Sequence, residues 1–138
     1  LNPEGFVHAP FSKPGCLLFV KLRQYQGQEH LAINLNENYH ERRVLCATAN
    51  STTYIVNLDK NSLVQIDNQH GLEGFVISGC VSLDKGIRAQ ETLKQFNWFR
   101  LAPGERCLIE SQGARLYLME GRATVQTPVN TGFKHVGI

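Results

Sequence analysis

A histidine and a cysteine hold the same place in two similar stretches of this chain. Leu1 to Gln24 reads LNPEGFVHAPFSKPGCLLFVKLRQ, and Arg100 to Glu120 reads RLAPGERCLIESQGARLYLME. Aligning them without gaps sets Gly5 on Gly104, His8 on Cys107, Ser12 on Ser111, Leu17 on Leu116 and Leu18 on Tyr117. An imidazole and a thiol are both nucleophiles and both ligands for borderline metals, so the shared position is a place for chemistry. The other reactive groups are dispersed. The four cysteines (Cys16, Cys46, Cys80 and Cys107) form no C-x-x-C pair, which gives a zinc-finger or thioredoxin-type site no support. Cys16, Cys46 and Cys80 each sit in an apolar, strand-like run and are expected to be buried free thiols that pack as small hydrophobes. That usage fits a reducing, cytoplasmic location. His30, His40 and His135 lie in polar surroundings and are expected to be exposed. Ser12 and Ser78 lack His and Asp partners at useful spacing. Glu37, Glu41, Glu91 and Glu110 are scattered over polar stretches as solvated groups.

The elements that must position these groups read as strands. The repeated stretches imply an internal repeat, with one complete copy near Gln24 to Thr127 preceded by the tail of another. The chain starts with Leu inside a motif, so truncation, processing or trimming is expected. After a polar connector (Arg23 to Glu29) and a polar loop (Asn34 to His40), short β-prone runs follow at regular spacing. These are Arg43 to Thr48, Thr52 to Leu58, Ser62 to Ile66, Glu73 to Val81, Asn97 to Leu101, Arg106 to Ile109 and Ala114 to Glu120. Turn residues separate them at Ala49-Asn50-Ser51, Asp59-Lys60-Asn61, Ala102-Pro103-Gly104 and Ser111-Gln112-Gly113. That spacing predicts an all-β sandwich or barrel. Asp84 to Phe96 is expected to be a loop with a strand rather than a helix. A strand is expected at Cys16 to Leu22 and a last one at Gly121 to Thr127, with an irregular tail after it. Phe75, Trp98, Phe99 and Tyr117 are expected as core aromatics, with Phe75, Trp98 and Tyr117 lining a small apolar ligand cavity.

Composition narrows the classes. The 138 residues suffice for one domain with a core, and 42% hydrophobic with 19% charged residues is ordinary for a globular protein. A net charge of +2, with no basic run beyond Arg42-Arg43, does not indicate a nucleic-acid surface. No apolar stretch approaches the roughly 20 residues of a membrane span, and no signal peptide is visible.

The stretch Asn2-Pro3-Glu4-Gly5, His8, Pro10, Phe11, Ser12 and Gly15-Cys16-Leu17-Leu18-Phe19-Val20-Lys21-Leu22 resembles the second motif of a cupin. More narrowly it is similar to the cupin of ChrR-type anti-sigma factors and their bicupin relatives. The resemblance implies a cupin-like β-barrel, or jelly roll, with 1–23 as the last strand segment of a truncated first cupin and 24–138 as one cupin domain. A cupin's first motif supplies a His-x-His and a Glu, and its second a further His, for Fe, Mn, Ni or Zn inside the barrel. Here the first motif falls at Gln65 to Gly79, where His70 and Glu73 are the remaining donors. The second falls at Trp98 to Met119, where Cys107 replaces the histidine. The ligand set implied is therefore His70, Glu73 and Cys107, a combination compatible with zinc. His8 would be the ligand of the truncated copy.

With most of that donor set missing, the expectation is a non-catalytic ChrR-like module for small-ligand binding, sensing or assembly, with a degenerate metal site and no cofactor. The alternative is a divalent-metal-dependent enzyme of the small-molecule dioxygenase type, holding Zn, Fe or Mn. The expected partners are a small apolar ligand, a protein partner, or a second copy. The orphan strand of Leu1 to Arg23 could add to a sheet edge of another subunit and make a homodimer.

Overall fold

A computed structural model of the chain describes residues 7, 11–16, 32, 34, 42–67, 69–86 and 90–121. Two compact units divide the chain, Leu1–Asn38 and Tyr39–Ile138. In that first unit the described residues include a turn: Ser12 Oγ donates to the Gly15 carbonyl at 2.8 Å, and Gly15 is left-handed at φ 84°. The expected strands at Cys16 to Leu22 and Gly121 to Thr127, and the tail, lie mostly outside the described residues.

The second unit carries six described strands and no described helix: β1 (Arg43–Ala47), β2 (Ser51–Asp67), β3 (Leu72–Asp84), β4 (Glu91–Lys94), β5 (Trp98–Leu101) and β6 (Arg106–Gly121). All pairings are antiparallel, in the order β1-β2-β6-β3-β4, with β5 also against β3. β4 and β5 make one interrupted edge along β3. The Phe96 N–H donates to the Val76 carbonyl at 2.7 Å and the Val76 N–H to the Asn97 carbonyl at 2.9 Å. The strand within Asp84 to Phe96 is β4, as expected.

Two expected turns are not turns. Asp59-Lys60-Asn61 lies inside β2, and Ser111-Gln112-Gly113 inside β6. The same turn-forming residues here make bulges. The β2–β6 register shifts between Lys60 and Leu63, and Asn61 has φ 66°. The β3–β6 register shifts on both sides of Gly79, at φ 81°, next to Gly113, at φ 90°. Phe96, between β4 and β5, has φ 70°. Left-handed residues therefore sit side by side on neighbouring strands, and bulges of this kind bend a sheet. The buried Ser111 hydroxyl ties the bend together, donating to the Leu58 carbonyl (3.1 Å) and accepting from the Gly113 N–H (3.0 Å).

The bend folds the sheet over one core. Inward positions on β6 are Cys107, Ile109 and Ser111 before the bulge and Ala114, Leu116 and Leu118 after it, since an extra residue inverts the period of two. On β3 they are Leu72, Gly74 and Val76, then Val81 and Leu83. Residues from both wings, Tyr54, Leu116 and Val76 on one and Ile66, Ile109 and Leu83 on the other, share a single apolar cluster. Fully burying an aliphatic side chain contributes about 1.5–3 kcal/mol.

This alternation corrects the expected core aromatics. Only Phe99 is in the core; Phe75 and Tyr117 fall one residue out of phase with it and are half-buried on the other face, and Trp98 is 52% exposed. The thiols are corrected too. None of the four cysteines is in a disulfide, but Cys16 is exposed, Cys46 and Cys80 are half-buried, and Cys107 alone is fully buried.

Candidate functional site

The folded-over core leaves a cavity of about 260 Å³ between the two wings. Its walls are the inward side chains of β2 (Val56, Leu58, Val64, Ile66) and β6 (Ile109, Leu116, Leu118). Alternation puts these residues inside, and the bulges at Asn61 and Gly113 keep both wings facing inward. Its polar lining is Arg42, Tyr54, Gln65 and Glu120.

Three of those groups form a chain. The buried Tyr54 hydroxyl donates to Glu120 Oε1, and the Arg42 guanidinium carbon lies 3.7 Å from the centroid of the Tyr54 ring, a cation–π contact. Burial, the hydrogen bond to Glu120 and that carboxylate's charge together push the Tyr54 phenol well above its ordinary range, against a smaller lowering from Arg42. The phenol is therefore a fixed hydrogen-bond donor at any physiological pH. What results is an apolar pocket whose polar lining carries one cation, one carboxylate and an aromatic ring between them.

A second cavity, about 350 Å³, is lined by the β1–β2 turn (Thr48 to Thr52), Ile66, the Gln69-His70-Gly71 segment and the end of β6 at Glu120 and Gly121. Glu120 and Ile66 line both cavities.

The described metal donors expected from the sequence, His70, Glu73 and Cys107, are not grouped. His70 is exposed and lines the second cavity, where the carboxylate present is Glu120 rather than Glu73. Glu73 lies on the outward face of β3, opposite Met119 and Arg100. Cys107 pairs with Ile66 at the start of β6, twelve residues from Met119. Burial is the largest effect on the Cys107 thiol and pushes it up, away from the thiolate a metal needs. Among the described residues no three His, Cys, Asp or Glu side chains are grouped as a metal site requires, so this donor set does not fit a bound ion. His8 lies outside the described residues, as do His30, His40 and His135. Phe75, Trp98 and Tyr117 do come together, as a cross-strand row in which Phe75 is opposite both Trp98 and Tyr117, but on the face away from the cavity.

Arg42, Tyr54 and Glu120 escaped the sequence reading, although two of them left a signal there. Tyr54 continues the inward series Val56 and Leu58, and Glu120 continues Ala114, Leu116 and Leu118. A polar residue at the end of an apolar stripe marks a rim. Arg42 left none, because its place over Tyr54 depends on the β1–β2 pairing.

No protein-family model matches the chain, and no curated protein sequence does. Solved structures do resemble it. A cupin-2 domain-containing protein from Shewanella frigidimarina is 13% identical with a TM-score of 0.52, over 64% of this chain and 86% of that one. A cupin superfamily protein from Desulfitobacterium hafniense is 10% identical with a TM-score of 0.56, over 64% and 83%. An RmlC-like cupin family protein with a double-stranded β-helix fold, from Methanocaldococcus jannaschii, is 13% identical with a TM-score of 0.56, over 69% and 93%. The chain has the cupin fold, an all-β double-stranded β-helix. No described helix is long and apolar enough to cross a membrane.

Proposed function

We propose that this chain is a non-catalytic, ligand-binding cupin module whose site is the cavity between the two wings, not a metal centre. The observation that carries the reading is the grouping of Arg42, Tyr54 and Glu120 on a cavity otherwise walled by aliphatic side chains. An apolar pocket with a few convergent polar groups is the usual form of a small-molecule site. At about 260 Å³ it lies below the roughly 300–1,000 Å³ of pockets for drug-sized molecules, which suits a small metabolite. A sensory role of the ChrR kind would couple occupancy of this cavity to a protein partner, and the resemblance of Leu1 to Leu22 to that group's motif supports it.

The test is a thermal-shift screen of small amphiphilic metabolites, run beside elemental analysis of the purified protein. Ligands that raise the melting temperature of the wild type but not of Val56→Phe, which fills the cavity, support the reading. One tightly held Fe, Mn or Zn per chain would overturn it in favour of a metal-dependent cupin enzyme.

A further inference from the structure

The two charges lining the cavity are of opposite sign and are held apart by a fixed spacer. The Arg42 guanidinium stacks on the face of the Tyr54 ring, while the hydroxyl at the ring's far end is bonded to Glu120 Oε1. The cation therefore lies over the ring's face and the carboxylate beyond its hydroxyl edge, so one side chain holds both. Tyr54 takes one oxygen of Glu120, and the second is the acceptor left to offer a ligand. Arg42 keeps its N–H fork for a carboxylate, since a cation–π contact uses the guanidinium's face and not its edge. Beyond the polar lining the cavity is aliphatic, with Val56, Leu58, Val64, Ile109, Leu116 and Leu118.

From this we infer that the ligand is a small zwitterion with an apolar side chain, in chemical class a free aliphatic α-amino acid. Its ammonium donates to Glu120, its carboxylate accepts from Arg42, and its side chain enters the aliphatic cavity. A simple carboxylic acid would leave Glu120 facing its carboxylate. A simple amine would meet Arg42 without an anion to offset the repulsion. Only a head with both charges matches both, and a site with one group of each sign discriminates against a head that lacks either charge. This inference rests on the cavity being the binding site.

Calorimetric titration of the full chain with L-leucine, isopentylamine and 4-methylpentanoate tests it, because the three share one branched side chain and differ in head charge. Leucine is expected to bind about tenfold or more tighter than either analogue, as charge-assisted hydrogen bonds are worth that much. Arg42→Gln should bring leucine down to the level of the amine, and Glu120→Gln down to the level of the acid. Circular dichroism melts show that each variant is folded. If an analogue binds as tightly as leucine, and Val56→Phe abolishes it, the zwitterion is wrong and the cavity reading stands. If none of the three binds the wild type at millimolar concentration, while other amphiphiles shift its melting temperature, the zwitterion is again wrong. If no small molecule acts on the wild type at all, both readings fall.

Discussion

Val76 and Phe75 are neighbours on β3, and Leu116 and Tyr117 are neighbours on β6, yet the members of each pair serve different faces. Val76 and Leu116 are fully buried in the core and pair with each other across the strands. Phe75 and Tyr117 pair with each other on the outer face, half-buried, beside a half-exposed Trp98. The larger side chains are outside and the smaller ones inside. Phase relative to the bulges, not size or hydrophobicity, decides which residues line the cavity.

The bend that sets this phase is the first place to break the comparison. A Cβ on Gly79 would collide with the Gly113 carbonyl oxygen and the Ala114 Cα, both backbone, and the residue is left-handed as well. Gly79→Val is expected to cost about 4 kcal/mol or more, enough to prevent folding, as judged by urea denaturation. Gly113→Ala meets nothing nearby and should cost only the left-handed backbone penalty, about 1–2 kcal/mol. Equal losses at the two glycines would mean the strands do not cross there as described.

The faces themselves can be compared directly. Leu116→Ala empties part of the core and should cost about 2–5 kcal/mol. Trp98→Ala, on the outer face, should cost less than about 1 kcal/mol despite removing a larger side chain. A Trp98 loss equal to that of Leu116 would show that the outer aromatic row is itself a core.

How far the sequence could be read follows from the same comparison. Strand locations were legible from β-prone runs, and the all-β class with them. The breaks at Asp59-Lys60-Asn61 and Ser111-Gln112-Gly113 were legible as turns but not as bulges, since a left-handed backbone is common to both. Asn and Gly adopt that backbone in both settings, and only a partner strand running past the break tells them apart. Within Ala114 to Glu120 the alternation is clear, and it sets Tyr117 out of phase with Leu116 and Leu118, against the expectation of a core aromatic. The resemblance to a cupin motif led to the right fold, while the donor positions it implied, His70, Glu73 and Cys107, are not brought together among the described residues.

A smaller effect sharpens the inner face. Tyr54→Phe keeps the ring under Arg42 and deletes the hydrogen bond to Glu120, which should cost about 1 kcal/mol at neutral pH. The sign of the pH dependence follows from the raised phenol. Its stabilisation is complete below the unfolded tyrosine value of about 10 and is lost as pH climbs from there toward the higher folded value. Melting curves from pH 8 to pH 11 should therefore fall more steeply for the wild type than for Tyr54→Phe. Parallel curves would mean that the phenol is not buried against the carboxylate.

The smallest effect lies on the outer face, at Phe96. Its backbone is left-handed at φ 70°, an uncommon state for a bulky residue, and its ring is half-exposed and stacked on Phe75 at a centroid distance of 6.4 Å. Phe96→Gly relieves the backbone by about 1–2 kcal/mol and removes a stacking contact of about 0.5–1.5 kcal/mol, so its net change should be close to zero. Phe96→Ala loses the same contact and keeps most of the strain, so it should be the less stable of the two by about 1 kcal/mol. The ring is gone from both variants, so their difference in urea midpoint reports the backbone alone. If the two unfold together, Phe96 carries no strain, and the edge formed by β4 and β5 turns the bend by some means other than a left-handed residue.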